Sequence, residues 1–345
     1  MIINQKSVKF AVVGVGSIGK RHASMILRNP EAELIALCDI IPSEQLDVDK
    51  FDQPFFESIE AMLASGLPID VVCICTPNGL HVYHAILALD AGKHIVCEKP
   101  MGLTKKACED VIFKSLQVDR RVFCVMQNRY SPPSVWIKSL IEQKLLGDIY
   151  MVQINCYWNR DDRYYFQNGK KHAWKGTDDM DGGPLYTQFS HFIDVLYWLF
   201  GDVENIQAVF QNFSHKHSTP FEDSGIVHFD FVNGGMGCIN YSTAVHKTNL
   251  ESSLTVIGSK GSVKIGGQYM NDVEYCNVEN YDMPELPGTN PANDYGDFKG
   301  SAANHVYVIE NVIDVLKDRK PITTNALEGM KVVEIIEKIY SLKQH

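Results

Sequence analysis

Gly14, Gly16 and Gly19 stand directly after the apolar run 10–13, and Asp39 follows twenty residues after the last of them. The apolar run suits a strand that is buried on both faces. Gly14 permits a tight turn after it, Gly16 lets backbone approach a pyrophosphate, and Gly19 lets the next helix pack closely. That helix directs its N–H groups and the positive end of its dipole at the phosphates. The predicted phosphate cradle comprises Gly14, Gly16, Ser17, Ile18 and Gly19.

Asp39 indicates which dinucleotide this turn takes. It ends the second apolar run, 34–38, where a carboxylate can accept hydrogen bonds from both ribose hydroxyls. A 2′-phosphate would meet a negative charge there, and Ile40 and Ile41 offer it no cation. A glycine-rich turn in another α/β protein could show the same triplet. The strand before it, the helix after it and the acid at this interval together favour NAD, and they disfavour NADP.

Two further polar segments follow strands of the same sheet. Thr76 and Asn78 come after the apolar run 71–75, and His81 opens the next helix. Open α/β sheets bind ligands at this carboxyl edge, so Thr76, Asn78 and His81 are predicted cofactor residues. The alternative is an ordinary strand–helix turn in which the asparagine serves as a cap.

Glu98-Lys99-Pro100 ends the next strand at that edge. An acid and a lysine at a buried strand end are costly unless each has a partner or a role. Lys99 beside a nicotinamide could hydrogen-bond a substrate hydroxyl and lower its pKa, so that a base removes the proton as hydride leaves the same carbon. Pro100 is a candidate for a cis peptide. The alternative is a surface ion pair.

A third group of polar residues lies on a helix that begins after Asp181-Gly182-Gly183-Pro184. Gln188, His191 and Asp194 are three residues apart, which places them along one face. His191 is the natural general base, because an unperturbed histidine has a pKa of about 6.5. A lone histidine on a helix is more often a structural group, so its role depends on the neighbouring motifs.

The elements that position these residues fall into two regions. Residues 1–128 alternate short apolar strands with amphipathic helices, which predicts a parallel, doubly wound sheet. The predicted strands are 9–13, 33–39, 71–75, 94–98 and 121–126, and the predicted helices are 20–28, 59–65, 82–91 and 105–117.

Residues 129–325 change character and predict a substrate-binding and oligomerisation domain with a large, mostly antiparallel open sheet. Its strands are predicted at 149–158, 203–212, 224–231, 236–244, 250–257 and 261–265, with helices at 134–144, 185–200 and 303–318 and a long loop at 279–301. A last helix, within 326–345, is expected to pack back on the first domain. The fold class is therefore predicted as α/β, a Rossmann domain followed by a second α/β domain.

Composition excludes several classes of function. The chain has 345 residues, 45% of them hydrophobic and 21% charged, as in an ordinary globular protein. Its net charge of −10 argues against a nucleic-acid or anionic-membrane partner. We expect a cytoplasmic protein, since neither a signal-peptide pattern nor an apolar membrane span is present.

The nine cysteines lie scattered in apolar segments and show no zinc spacing, so we predict buried thiols and no metal.

Four motifs together resemble those of the Gfo/Idh/MocA oxidoreductase family. They are Gly14-x-Gly16-x-x-Gly19, Thr76-Pro77-Asn78-x-x-His81, Glu98-Lys99-Pro100 and Gly182-Gly183 with His191-x-x-Asp194, in the family's order. The resemblance spans nearly the whole chain. It implies NAD(P)-dependent oxidation or reduction at a sugar or cyclitol hydroxyl, and a homodimer or homotetramer formed through the open sheet. It also implies that Lys99 orients the hydroxyl, that His191 is the acid/base, and that Glu98, Lys99 and Gln127 adjoin the cofactor.

The chain departs from many family members at Gln188, where an aspartate is common; an amide binds or positions but cannot exchange a proton. The segments 127–133, 157–160 and 181–183 resemble the branch that oxidises UDP-N-acetylglucosaminuronic acid at C3, in which an Asn-His pair stands at the Gln188 and His191 positions. A nucleotide-sugar acid needs cations for its carboxylate and pyrophosphate. The predicted substrate residues are Lys99, Arg129, Arg160, Tyr165, Lys175, Gln188 and His191.

Two other functions stay open at this point. A free-sugar or myo-inositol dehydrogenase would use the same acid/base pair without needing the arginines. A non-catalytic NAD-binding regulator would use the fold alone, although it has no need of an intact Lys99 and His191.

Overall fold

The computed structural model describes residues 7–343, and the chain divides into two compact units. One unit takes the chain up to Met126 together with His305–Val333. The other takes Gln127–Asn304 together with the chain from Glu334 onward.

The first unit is built on a six-stranded sheet in the order β3-β2-β1-β4-β5-β6, with every pair parallel. Its strands are β1 (Val8–Val13), β2 (Ala32–Cys38), β3 (Phe55–Phe56), β4 (Val71–Ile74), β5 (His94–Cys97) and β6 (Val122–Cys124). The helices that lie between these strands in the chain are α1 (Ser17–Arg28), α2 (Ile59–Ala64), α3 (His81–Asp90) and α4 (Lys105–Gln117). This confirms the predicted parallel sheet. The two-residue edge strand β3 is an addition that the sequence pattern did not reveal.

The strand order reverses between β1 and β4, and this is the place where open α/β sheets bind their ligands. Both strands are almost entirely buried, as strands covered on both faces must be. Gly14 follows β1 and Cys75 follows β4, so the glycine turn and the segment from Thr76 begin at the same edge.

The second unit holds a seven-stranded sheet in the order β10-β11-β12-β7-β13-β14-β15. Only the β7–β12 pair is parallel, which confirms the mostly antiparallel sheet. The strands are β7 (Ile149–Tyr157), β10 (Val203–Gln211), β11 (Ser224–Phe231), β12 (Met236–Ser242), β13 (Glu251–Gly258), β14 (Gly261–Gly266) and β15 (Asp272–Val278). Two ribbons stand apart, β8 (Phe166–Gln167) with β9 (Lys170–Lys171) and β16 (Ala292–Asp294) with β17 (Lys299–Ala302).

Four helices of this unit are α5 (Pro132–Glu142), α6 (Asp162–Tyr165), α7 (Pro184–Thr187) and α8 (Ser190–Phe200). The single helix predicted over 185–200 is thus two helices. Phe189, which precedes α8, has φ −110° and ψ 1°, outside the helical region, and this breaks the helix. Aromatic contacts from Phe189 and Phe192 to Trp158, and from Phe200 to Phe231, pack this segment on the sheet.

The chain ends with α9 (His305–Leu316) and α10 (Ala326–Tyr340). Helix α9 contacts α1 in the first unit, where Lys317 and Arg319 pair with Glu31 just after α1. Helix α10 is shared, since its residues up to Val333 fall in the first unit and those from Glu334 in the second. Within residues 7–343, no helix combines the length and the apolar character that crossing a membrane requires.

Candidate functional site

The glycine turn after β1 has the shape of a phosphate cradle. Gly14 has φ +85°, and a Cβ there would lie 2.7 Å from the Cys75 carbonyl carbon. A Cβ on Gly19 would lie 1.9 Å from the Gly14 oxygen. The fold therefore requires both glycines. A Cβ on Gly16, by contrast, would meet nothing within 4 Å, so Gly16 faces the open space that a pyrophosphate would fill.

Helix α1 begins at this open space. Its N-cap residue is Gly16, so no side chain caps the helix at that position. Its first N–H groups and the positive end of its dipole are directed there. Asp39 is tied to the same turn, because its Oδ2 accepts the Val15 N–H at 2.7 Å and its Oδ1 accepts the Ile41 N–H at 3.0 Å. A carboxylate oxygen has a second lone pair, so both oxygens can still accept from ribose hydroxyls. The residues present fit a dinucleotide.

His81 lies between the carbonyl oxygens of two neighbouring segments. Its Nδ1 lies 2.7 Å from the Pro100 carbonyl oxygen and its Nε2 lies 2.8 Å from the Thr76 carbonyl oxygen. Burial lowers the pKa of His81 from its ordinary value. Both ring nitrogens face protein carbonyls, and a neutral ring donates its one N–H to either of them. This geometry favours contact with the two segments over the predicted cofactor contact. Thr76 bonds through Oγ1 to His84, and Asn78 is 6% exposed.

Glu98 is buried between two histidines. Its Oε1 lies 2.8 Å from His22 Nε2 and 3.5 Å from His305 Nε2, and its Oε2 accepts the Lys99 backbone N–H at 3.3 Å. Burial acts to raise the pKa of Glu98, but the hydrogen bonds from the two histidines outweigh it and hold the pKa well below its ordinary value. The peptide bond from Lys99 to Pro100 is cis.

Sequence reasoning did not single out His22 or His305. His22 had a signal, since it lies three residues beyond Gly19 on the helix that opens at the phosphate cradle. His305 had none, because its contact with Glu98 spans most of the chain.

His191 lies in the first turn of α8 and is 3% exposed. Its Nε2 lies 3.3 Å from the side-chain nitrogen of Gln127, which belongs to a 3₁₀ turn, Gln127–Tyr130. Gln127, predicted beside the cofactor, is thus placed by the structure against the candidate base. Arg129 of the same turn pairs with Asp194, one helical turn beyond His191. The sequence motif therefore brings together a histidine, an amide and a buried ion pair.

The buried arginines form hydrogen bonds inside the second unit. Arg160 donates from Nε to Gln188 Oε1 at 2.7 Å and from a terminal nitrogen to the Lys299 carbonyl oxygen at 3.0 Å. Gln188 in turn donates to the Tyr164 hydroxyl at 2.9 Å. Burial lowers the pKa of Arg160 to about 10. Arg129 and Arg160 are each 2% exposed, so this geometry favours a role in orienting neighbouring side chains over direct contact with a substrate anion.

Lys175 differs from both arginines. Its ammonium lies 4.4 Å from the Tyr164 ring centre and 5.6 Å from that of Phe298, and it forms no ion pair with any residue in 7–343. Burial lowers the pKa of Lys175, and it also raises that of Tyr165, which is 2% exposed. The charge of Asp181 opposes this lowering, although the two side chains form no ion pair. A half-buried cation that contacts aromatic rings and has no ion-pair partner within residues 7–343 can receive an anion.

Residues 8–124 match the model of an oxidoreductase family with an NAD-binding Rossmann fold, and residues 135–264 match the Gfo/Idh/MocA C-terminal domain. The chain belongs to the Gfo/Idh/MocA oxidoreductase family, as its motifs predicted. It is an oxidoreductase, and residues 8–124 form its NAD-binding Rossmann fold.

Several relatives are similar over most of their length. The WlbA dehydrogenase of Bordetella pertussis, solved with NADH and UDP-GlcNAcA, is 31% identical with a TM-score of 0.86, covering 98% of this chain and 96% of that one. The WlbA dehydrogenase of Chromobacterium violaceum, solved with the same two ligands, is 29% identical with a TM-score of 0.85, covering 99% and 96%. An inositol 2-dehydrogenase/D-chiro-inositol 3-dehydrogenase of Lactiplantibacillus plantarum is 26% identical over 265 residues, which is 74% of this chain and 71% of that protein.

Proposed function

We propose that this protein oxidises the C3 hydroxyl of a nucleotide-sugar acid of the UDP-N-acetylglucosaminuronic acid type, with NAD as the acceptor. The observation that carries the proposal is the 31% identity, over 98% of the chain, to a dehydrogenase solved with NADH and UDP-GlcNAcA. Two further features support it: the acid/base residues present in the chain, and a cation that forms no ion pair within residues 7–343.

When bound, NAD supplies a hydride acceptor at nicotinamide C4. Lys99 donates a hydrogen bond to the reacting hydroxyl and so stabilises the negative charge that grows on its oxygen. His191 takes the hydroxyl proton, since it is the titratable member of its pair with Gln127. The side-chain amides of Gln127 and Gln188 do not titrate in the useful range, so Gln127 orients His191 and Gln188 orients Arg160.

Lys175 is assigned to an anionic group of the substrate. Tyr164 and Phe298 hold its ammonium from the side without neutralising it. A carboxylate or a pyrophosphate oxygen would complete its hydrogen bonding and offset the cost of its burial. The adjacent Arg160 adds positive charge to the same region, because it also lies over the Phe298 ring, at 4.9 Å.

The test is NADH absorbance after mixing the protein and NAD with UDP-N-acetylglucosaminuronic acid, UDP-N-acetylglucosamine, glucose and myo-inositol in parallel. We expect a signal with the uronic acid nucleotide only. Lys175→Met should raise KM for it about tenfold while leaving NAD affinity unchanged, as loss of one charged hydrogen bond predicts. Lys260→Met, which alters an exposed lysine in the β13–β14 turn, is the matched control.

A free-polyol dehydrogenase is the second candidate, favoured by the 26% identity to an inositol dehydrogenase. A signal with myo-inositol or glucose would keep the roles of Lys99 and His191 and overturn the substrate. If no substrate gives a signal, bound NADH in the purified protein is measured next. Its absence would count against turnover of this whole panel and favour a regulator that binds NAD without reaction.

We further expect a homodimer or homotetramer formed through the seven-stranded sheet. Val209, Ile226 and Met236 are 66%, 59% and 52% exposed. The strand register places all three on one face of the sheet together with Met151. An apolar patch of this kind favours association. Analytical ultracentrifugation tests it, and replacing Ile226 with lysine should shift the protein toward monomer.

A further inference from the structure

We propose that His22, His81 and His305 are positioning residues that fix the main chain on both sides of Lys99. This inference rests on the proposed function for the catalytic meaning of Lys99, but not for the contacts themselves. All three histidines are at most 1% exposed and belong to the first unit. They come from three separate helices, α1, α3 and α9.

The first attachment acts on the amino side of Lys99. Glu98 Oε1 is held by His22 at 2.8 Å and approached by His305 at 3.5 Å, which leaves Oε2 to accept the Lys99 N–H at 3.3 Å. The carboxylate thus connects two helices to the backbone of the lysine.

The ring protons can be assigned from the buried atoms. Nδ1 of His22 and Nδ1 of His305 are buried and have no hydrogen-bond partner within residues 7–343. A buried N–H without an acceptor is costly, so each ring carries its proton on Nε2 and donates it toward Glu98. Each of the two histidines therefore donates its hydrogen bond to Glu98 from Nε2.

A metal ion is the other possible use of this cluster, because one atom from each of His22, Glu98 and His305 lies within 4.8 Å of the others. Histidines that bind metals almost always donate their second ring N–H to an acceptor. Neither Nδ1 has such an acceptor in the described part of the chain. Direct hydrogen bonds to Glu98 explain the arrangement better than a metal site.

The second attachment acts on the carboxyl side of Lys99. His81 Nδ1 lies 2.7 Å from the Pro100 carbonyl oxygen, and its Nε2 lies 2.8 Å from that of Thr76. A neutral His81 has one N–H and donates to one of these two carbonyl oxygens at a time. Lys99 therefore stands between Glu98, which accepts from two buried histidines, and Pro100, whose carbonyl oxygen can accept from a third. Such anchoring matters because a misplacement of about 1 Å can cost a catalytic group on the order of 100-fold in rate.

Paired substitutions test the proposal. In His22→Gln and His305→Gln the side-chain amide nitrogen can replace Nε2, whereas the shorter His22→Asn and His305→Asn cannot reach Glu98. Hydrogen–deuterium exchange over residues 97–101 should accelerate about tenfold or more in the asparagine variants and change little in the glutamine variants. With UDP-N-acetylglucosaminuronic acid and NAD, kcat should fall on the order of 10- to 100-fold in the asparagine variants, with the NAD dissociation constant nearly unchanged. His94→Asn, at the opposite end of β5, is the control and should change neither measurement.

Equal exchange rates in the asparagine and glutamine variants would overturn the proposal. Stoichiometric zinc in the wild-type protein that is lost from both kinds of variant would also overturn it. A double-mutant cycle isolates the route through Lys99, because His22→Asn should add little to the loss caused by Lys99→Met. If Lys99→Met is itself fully active, the assigned function of Lys99 fails while the exchange comparison still decides whether the histidines hold the segment.

Discussion

Arg129 and Asp194 share two parallel hydrogen bonds, from Nε to Oδ2 at 2.9 Å and from a terminal nitrogen to Oδ1 at 2.7 Å. Their side chains are 1% and 0% exposed. The pair fastens the turn that carries Gln127 to the helix that carries His191. The aspartate of the family-like motif His191-x-x-Asp194 thus binds an arginine of the protein itself.

Breaking this buried ion pair should cost much more stability than breaking an exposed one. Arg129→Met leaves a buried carboxylate without its cation and should lower the free energy of unfolding by about 3–5 kcal/mol. Lys50→Ala breaks a pair with Asp47 whose side chains are 53% and 80% exposed, and it should cost only about 0.2–1 kcal/mol. Urea unfolding followed by circular dichroism measures both. Equal losses would contradict the structural role assigned to Arg129.

The glycine turn predicts a separation of folding from binding. Gly16→Ala should leave the thermal midpoint nearly unchanged, since its Cβ meets nothing within 4 Å, yet it should weaken NAD binding because the methyl group enters the phosphate space. Gly19→Ala should destabilise the fold, because its Cβ would lie 1.9 Å from the Gly14 oxygen. Differential scanning fluorimetry and NADH titration compare the two. Full NAD affinity in Gly16→Ala would contradict the cradle.

Asp39 predicts the choice of cofactor. Asp39→Ala removes two acceptors from the ribose and the bond to Val15, so NADH should bind more weakly. NADPH should lose less, because the variant also removes the charge that repels a 2′-phosphate. The ratio of the NADPH to the NADH dissociation constant, measured by fluorescence titration, should therefore move closer to 1. An unchanged ratio would rule out the ribose role.

The acid/base assignment predicts rate losses without binding losses. His191→Asn and Lys99→Met should each lower kcat by roughly 10²–10⁴-fold, the usual contribution of a positioned proton-transfer group. NAD affinity should stay nearly the same in both. His246→Asn, an exposed histidine in the loop before β13, serves as the control for histidine loss in the second unit. A parallel loss of NAD binding in both site variants would refute the assignment.

The sequence predicted those features that depend on neighbours along the chain. The Gly14 turn and the parallel strands follow from patterns within short segments, and the position of Asp39 follows from its place at the end of the second apolar run; the structure agrees. Strand β3 was missed because two phenylalanines give no periodicity, and β15 because its polar residues resemble a loop.

The partners of the charged residues were beyond the reach of the sequence. Arg129 pairs with a residue 65 positions away, and Arg160 bonds to Gln188, 28 positions away. The sequence does not distinguish an arginine that binds a ligand from one whose guanidinium is paired within the fold. Lys175 is the one predicted substrate cation of the second unit that forms no ion pair or hydrogen bond within residues 7–343.

Strand β7 imposes an order on how the second unit is assembled. It lies between β12 and β13, both of which come much later in the chain, while its own sequence neighbours form helices and short ribbons. The successive strands β10, β11 and β12 can form a meander as they emerge from the ribosome, but β7 has no strand to pair with until β12 is made. Both of its edges stay open for adding foreign strands during that interval. The centre of the sheet therefore cannot close before β12 and β13 are made, and β7 stays exposed to aggregation during that interval.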